Sequence, residues 1–98
     1  GITSNSQKLE KVVTYALTNN VIVVASVGNQ GCETLYYPAA YEGVIGVGSI
    51  NNNSEVSTFS QYNTSVDVVA PGEALESLRI DEYMKLVKSF PVTIALLI

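Results

Sequence analysis

The residues best suited to chemistry in this sequence are one side-chain amide and the glycines around it. Asn29 lies in the segment Gly28-Asn29-Gln30-Gly31, directly after an apolar run at residues 21–25. An amide held at the end of a rigid strand is a fixed hydrogen-bond donor for an oxygen that gains negative charge during a reaction. The flanking glycines let a substrate backbone come close. The same four residues also form an ordinary turn, so both interpretations stay open at this point.

Histidine, the side chain that most often transfers protons beside such a donor, is missing from the composition. The 98 residues contain no histidine and a single cysteine, Cys32. Histidine is the usual general base for a serine or cysteine nucleophile, and it is a common metal ligand. The chain by itself therefore offers neither a histidine-based catalytic pair nor a histidine metal site, and one cysteine cannot form an internal disulfide.

A buried strand must position the amide. Residues 21–25 are all apolar and mostly β-branched, which is typical of a strand buried on both faces in a parallel sheet covered by helices. Ligands of such sheets bind at the carboxyl ends of the strands. That end carries Ser26, Gly28, Asn29 and Gly31, so we expect any functional site there.

The neighbouring segments predict the rest of an α/β domain. Before the strand, apolar residues at helical spacing indicate an amphipathic helix, with capping-box spacing at residues 4–7 and an end at Asn19-Asn20. Residues 44–50 and 66–70 predict two further strands, and Gly46 and Gly48 predict that another backbone approaches the first of them. A second helix is predicted over residues 74–88. The aromatic loop at residues 30–41 either packs against the core or lines a ligand site.

Charge and hydropathy exclude several classes of function. The net charge is −4 and the five basic residues are scattered, which argues against a nucleic-acid partner. No apolar run is long enough to span a membrane. Charged residues make up only 14% of the chain, which indicates a surface partly covered by more protein. A nucleotide-binding domain is disfavoured because a Tyr-Pro loop, rather than a helix, follows Gly31.

Four blocks of this sequence, taken in order, resemble the subtilisin-like serine proteases (subtilases, peptidase family S8). They correspond to the family's oxyanion-hole segment V-V-A-A-A-G-N-x-G, its Y-P-A…V-I-x-V-G-A block, its F-S-x-x-G segment and its V-D-V-x-A-P-G block. The third block departs from the family at its glycine, where Tyr62 and Asn63 lie. The matching residues are 23–31, 37–39 with 44–49, 59–60 and 66–72. Together the blocks cover roughly residues 1 to 72.

The resemblance implies a fold and a set of site residues. The fold is a three-layer α/β arrangement with a mainly parallel sheet flanked by helices. Residues 1–73 would form the central part of the peptidase domain, and residues 74–98 would form a divergent helical and apolar tail. Asn29 would be the oxyanion-hole side chain. Ser26, Val27 and Gly28 would form one wall of the pocket for the substrate side chain that precedes the cut.

The resemblance also implies partners and a location. The substrate would be a polypeptide, the remainder of the protease domain would complete the site, and the protein would be secreted or held at the cell surface. No cofactor or metal site is expected. Some family members bind a cation such as calcium weakly through backbone carbonyls, at positions that correspond to Ala39, Tyr41 and Val44, but no carboxylate in this sequence supports such a site.

The family's catalytic triad of Asp, His and Ser is not recognisable here. The Asp and His motifs precede the oxyanion block in the family, and the serine motif G-T-S-x-A-x-P that follows the A-P-G block is absent. Ser89 lies in a faint echo of that motif, with Val87-Lys88 where Gly-Thr is required. We therefore expect a portion of a serine endopeptidase that is inactive alone. The alternative is a non-catalytic, degenerate protease remnant, or a peptide-binding or structural module.

Overall fold

The structure is a computed structural model that describes residues 1–73 and the backbone of one further strand near the carboxyl terminus. These parts contain one helix, α1 (Gln7–Thr18), and four strands, which are β1 (Ile22–Ser26), β2 (Ile45–Ile50), β3 (Val68–Pro71) and β4 (Ile94–Leu97). The helix predicted over residues 74–88 and Ser89 both lie outside the described residues.

The four strands form one sheet in the order β3-β2-β1-β4, and every pair in it is parallel. β1 is an inner strand, since Val24 pairs with Ile45 of β2 and Ile22 pairs with Ile94 of β4. The predicted α/β class with a parallel sheet is thereby confirmed. Within the tail that was expected to be helical and apolar, Ile94–Leu97 form a strand.

Helix α1 begins two residues later than the capping-box spacing predicts. Ser6 is the N-cap, and its Oγ accepts a hydrogen bond from the Leu9 N–H at 3.4 Å. The Tyr41 hydroxyl fixes this start, because it donates to Asn5 Oδ1 at 2.8 Å and lies 3.1 Å from the Ser6 carbonyl oxygen. The helix ends as predicted, with Asn19 as the C-cap and Asn20 in the left-handed conformation at φ 61°.

The core lies between α1 and one face of the sheet. Val13 of α1 packs with Val23 and Ala25 of β1, and Val27, Ala39, Tyr41 and Val44 complete the buried cluster. The prediction that β1 is buried on both faces is wrong for this part of the chain. Ile22 is 40% exposed and Val24 is half-buried, because α1 is the only helix in the described ranges and it covers one face.

Gly46 shows why the second strand contains glycine. A Cβ built on Gly46 would collide with the backbone carbonyl of Ser65. The same stretch is bound in two ways, because the Gly46 N–H donates to Asp67 Oδ2 at 2.8 Å and the Asp67 N–H donates to the Gly46 carbonyl at 2.9 Å. The predicted close approach of another backbone is confirmed at this residue, and it sets the path of the chain into β3.

Candidate functional site

The carboxyl ends of β1, β2 and β3 open into a common groove of about 410 Å³. Ala25, Ser26, Gly28 and Asn29 contribute its β1 side, and Asn29 is exposed to solvent. The ends of the other two strands and one aromatic ring supply the remaining lining, namely Val47, Gly48, Ser49, Phe59, Ala70, Pro71 and Gly72. The groove therefore lies where parallel sheets place their ligands, as the sequence predicts.

A second, smaller pocket of about 160 Å³ shares three of these residues. Ser26, Gly28 and Asn29 line it together with Gly1, Gln30, Tyr36 and Pro38. The segment after β1 is thus a ridge with an open space on each side. An extended ligand that crossed the ridge would meet the Asn29 amide between the two pockets.

Val27 is placed differently from the other residues predicted to form the pocket wall. Its side chain is only 1% exposed and belongs to the core cluster, because side chains alternate between the two faces along a strand. Its N–H donates to the Val47 carbonyl at 3.1 Å, which extends the β1–β2 pairing by one residue. Val27 therefore anchors the ridge, and its side chain lines neither pocket.

Gly28 gives the ridge its sharp turn. Its φ is +115°, a conformation that residues with a Cβ rarely adopt. Its N–H donates to Ser26 Oγ at 3.3 Å, which ties the turn to the end of β1. A Cβ on Gly28 would lie 2.8 Å from Gln61 Cγ and 3.0 Å from Tyr36 Cδ2. The turn is consequently closed in by side chains from two other parts of the chain.

Gln61 holds the ridge, although no sequence pattern pointed to this residue. This side chain is 1% exposed. Its Oε1 accepts from the Gln30 N–H at 2.9 Å and from the Cys32 N–H at 3.1 Å, while its Nε2 donates to the Thr34 carbonyl at 2.9 Å. The Gln61 N–H also donates to the Gly28 carbonyl at 3.2 Å. All its partners are far away in sequence, so no local pattern could reveal the contact.

Cys32 contacts the same amide. Gln61 Nε2 lies 3.1 Å from Cys32 Sγ. This hydrogen bond, and then those from the side chain and backbone of Thr34, lower the pKa of the Cys32 thiol from its usual value, because they stabilise the thiolate. The thiol is free. Its ionisation therefore reports on whether the Gln61 side chain is in place.

The aromatic loop at residues 30–41 was expected either to pack against the core or to line a ligand site, and its tyrosines do both. Tyr41 is buried in the core, and its ring centroid lies 4.7 Å from that of Tyr37. Tyr36 instead lines the smaller pocket beside Asn29. The tyrosine at 41 thus fixes the fold, whereas the tyrosine at 36 forms part of the candidate site.

The chemistry available in the groove is hydrogen bonding without proton transfer. Among the described residues, its lining supplies hydroxyl groups from Ser26 and Ser49 and the Asn29 amide, but no carboxylate and no basic side chain. Residues 1–73 contain no group of three or more His, Cys, Asp or Glu that could hold a metal ion. Of the carbonyls at Ala39, Tyr41 and Val44, that of Tyr41 accepts the Val44 N–H at 3.2 Å. The described lining of the groove therefore offers hydrogen-bonding groups to a ligand.

Known proteins are similar to this chain in sequence and in fold. The model of the subtilase family matches residues 1–92, which extends past the division predicted at residue 73. The chain is 44% identical over 72 residues to the thermophilic serine proteinase of Bacillus sp. (strain AK1), covering 74% of the chain and 18% of that protein. It is also 44% identical over 89 residues to the major intracellular serine protease of Bacillus subtilis (strain 168), covering 85% of the chain and 28% of that protein.

The fold agrees with solved structures. The psychrophilic subtilisin-like protease Apa1 from Pseudoalteromonas sp. AS-11 superposes with a TM-score of 0.70 at 31% identity, over 76% of this chain and 17% of that one. The prenylagaramide maturation protease PagA gives a TM-score of 0.71 at 29% identity, over 79% and 29%. The chain spans less than a third of the length of each of these relatives. With its parallel sheet, its groove at the strand ends and these matches, the chain belongs to the subtilase family of serine peptidases.

Proposed function

We propose that this chain contributes the oxyanion-binding part of a serine endopeptidase that hydrolyses peptide bonds. Asn29 donates a hydrogen bond from its side-chain amide to the oxygen of the tetrahedral intermediate. One observation carries the proposal, namely that the exposed Asn29 lies at the end of β1 on a ridge between two pockets. A polypeptide substrate would lie across this ridge with its scissile carbonyl against the amide.

The substrate pocket is formed by the same ridge. Ser26 and Gly28 face the open space directly, and Val27 takes part through its backbone because its side chain is in the core. The absence of a Cβ at Gly28 lets Gln61 and Tyr36 pack closely against the turn that forms this wall. These three residues make one wall of the pocket that receives the substrate side chain before the cut.

The remainder of the peptidase domain supplies the reacting groups. The sequence has no histidine, so the base that activates a serine nucleophile must come from outside these 98 residues. The open face of the sheet supports this arrangement, because it presents Ile22, Ile45 and Val68 to solvent in the described part of the chain. We propose that the rest of the domain covers this face and that the 98-residue chain alone does not cleave peptides.

A chimaera tests the role of Asn29. Residues 7–72 would replace the matching segment of the Bacillus subtilis major intracellular serine protease, to which the chain is 44% identical over 89 residues. We expect peptidase activity in the chimaera, and Asn29→Ala should lower kcat by about 100- to 1000-fold with little change in KM. This magnitude is that of subtilisin, a member of the same family. The isolated chain should not react with a fluorophosphonate serine-hydrolase probe.

Asn52→Ala is the matched control, since Asn52 is an exposed asparagine in the turn after β2. It should leave kcat unchanged. A folded, active chimaera in which Asn29→Ala retains full kcat would contradict the proposed role, and labelling of the isolated chain by the probe would contradict its inactivity.

A non-catalytic, peptide-binding role is the second candidate, and the lack of histidine is the observation that favours it. In that case the groove would bind an extended peptide without cleaving it. Titration of the labelled chain with unstructured peptides should then shift the amide signals of Gly28 and Asn29, while a correctly folded chimaera would stay inactive. Activity in the chimaera together with no peptide binding by the isolated chain would reject this role.

Location follows from the resemblance alone. We propose that the protein is secreted or lies at the cell surface. One relative carries the word intracellular in its name, so family membership does not decide the compartment. Within the described ranges, no helix has the length and apolar character that a membrane crossing requires. Fractionation of the native organism with an antibody against the chain would measure the location.

A further inference from the structure

We propose that Gln61 is the positioning residue of the candidate oxyanion site and acts as a clamp on both sides of Asn29. This inference rests on the proposed role of Asn29 and extends it to a residue from a different part of the chain. The clamp is defined by Gln61 and the atoms that it binds in the segment after β1, from Gly28 to Thr34.

The geometry of the clamp brackets the donor residue. On one side of Asn29, the Gly28 carbonyl accepts the Gln61 backbone N–H at 3.2 Å. On the other side, the Gln30 N–H donates to Gln61 Oε1 at 2.9 Å. The residues immediately before and after Asn29 are therefore both bound to a single residue. The backbone is thus held on both sides of Asn29, which is itself exposed and lines the groove.

Burial and full hydrogen bonding fix the orientation of the Gln61 amide. The side chain of Gln61 is 1% exposed, and all of its polar capacity is directed at the loop. The two lone pairs of Oε1 accept from Gln30 and Cys32, and Nε2 donates to the Thr34 carbonyl and Cys32 Sγ. A buried amide that is fully paired in this way has one favourable orientation, since a flip would set N–H groups against N–H groups.

Preorganisation is the function that this arrangement serves. An oxyanion donor is effective when it is held in place before the charge develops, so that no reorganisation is needed at the moment of reaction. The ridge alone would not provide this rigidity, because it contains two glycines and is open on both sides. Gln61 supplies the rigidity from the segment that precedes β3, and the catalytic contact itself remains with Asn29.

Two variants of the 98-residue chain distinguish the contribution of the Gln61 acceptor oxygen from that of its donor nitrogen. Gln61→Met has a similar volume and removes both the acceptor and the donor. Gln61→Glu keeps the acceptor oxygens and removes the donor. The readouts are amide hydrogen exchange by NMR and the pKa of the Cys32 thiol, measured from the pH dependence of its alkylation by iodoacetamide.

For Gln61→Met, we expect the Gln30 and Cys32 amides to exchange about tenfold faster, as the loss of one hydrogen bond each implies. The Gly31 amide should keep its protection, because it donates to the Phe59 carbonyl at 2.8 Å and not to Gln61. The thiol pKa should rise. For Gln61→Glu, the two amides should stay protected while the thiol pKa rises, because a carboxylate replaces the N–H beside the sulfur.

Gln30→Met is the matched control, since it makes the same substitution at an exposed glutamine of the same loop and keeps the backbone N–H. It should change neither readout. The proposal is overturned if the wild-type chain has an ordinary thiol pKa and unprotected Gln30 and Cys32 amides, or if Gln61→Met leaves them protected. It is equally overturned if Gly31 loses protection together with them, or if both Gln61 variants unfold the chain.

These readouts require no catalysis. If the Gln61 measurements fail, the proposed role of Asn29 is not affected, because the chimaera tests it separately. If the chimaera is inactive, the proposed clamp is not affected, because its readouts do not depend on activity. The two proposals can therefore fail separately.

Discussion

Replacement of Gly28 by alanine perturbs the ridge at its most constrained residue. The φ of +115° costs an alanine about 1–3 kcal/mol in backbone strain. The new Cβ would also lie 2.8 Å from Gln61 Cγ, which cannot move aside easily because both ends of that side chain are hydrogen-bonded. This overpacking adds about 1 kcal/mol or more. We expect Gly28→Ala to lower the free energy of unfolding by about 2–4 kcal/mol.

Gly43→Ala provides a matched control for this variant. Gly43 also has a positive φ, of +86°, but a Cβ there would meet Leu17 Cδ1, the far end of a flexible side chain, at 2.9 Å. Only the backbone strain of about 1–3 kcal/mol then remains. Gly43→Ala should leave the ridge undisturbed, because Leu17 lies on α1, packs on the core and lines neither of the two pockets beside Asn29.

Two measurements distinguish these variants. Denaturant unfolding followed by circular dichroism gives the free energy of unfolding, and amide exchange at Gln30 reports on the clamp. Gly28→Ala should lower the stability more than Gly43→Ala does and should also speed exchange at Gln30. Equal losses of stability, together with an unchanged Gln30 amide in both variants, would refute the claim that Gly28 is closed in by Gln61.

Three further outcomes follow from contacts elsewhere. Tyr41→Phe removes the hydroxyl that fixes the start of α1, and it should cost about 1–2 kcal/mol of unfolding free energy in the same denaturant assay; no loss would contradict that role. Gly46→Ala places a methyl group against the Ser65 carbonyl and should cost about 3 kcal/mol, seen as a lower Tm. The pKa of the Cys32 thiol is lowered on folding, so stability should increase as the pH rises through the folded pKa and level off above the unfolded value. Cys32→Ser should abolish this increase, and an unchanged pH profile would argue against the folded thiolate.

Local patterns were sufficient to predict α1 and the first three strands, but they did not predict β4. The spacing of apolar residues predicted α1, and the β-branched run predicted β1, whose carboxyl end borders the groove at Ser26 and Asn29. The start of α1 was misplaced because a residue 35 positions away, Tyr41, decides it through its hydroxyl. Local capping patterns cannot include such a contact.

The candidate site was also predictable only in part, because local patterns reveal some of its residues and long-range contacts determine the others. Asn29 and Gly28 carry a signal in their own neighbourhood, since glycines around an asparagine indicate a tight turn. Gln61 carries none, because a buried glutamine is recognisable only when the loop it binds is known. Val27 fits the family's pocket segment by position, but its side chain follows the strand alternation into the core. Only the structure reveals the residues whose role depends on contacts between segments that are distant in sequence.

The order of the strands has a consequence for how the chain reaches its folded state. β1 and β2 are close in sequence, so their pairing can form early, whereas Ile22 meets Ile94 only after nearly the whole chain is available. During this interval one edge of β1 presents unpaired N–H and C=O groups. A strand from another molecule could occupy that edge first. The β1–β4 pairing, which joins the residues farthest apart in sequence in this sheet, is therefore also the one that protects this edge of β1 from self-association.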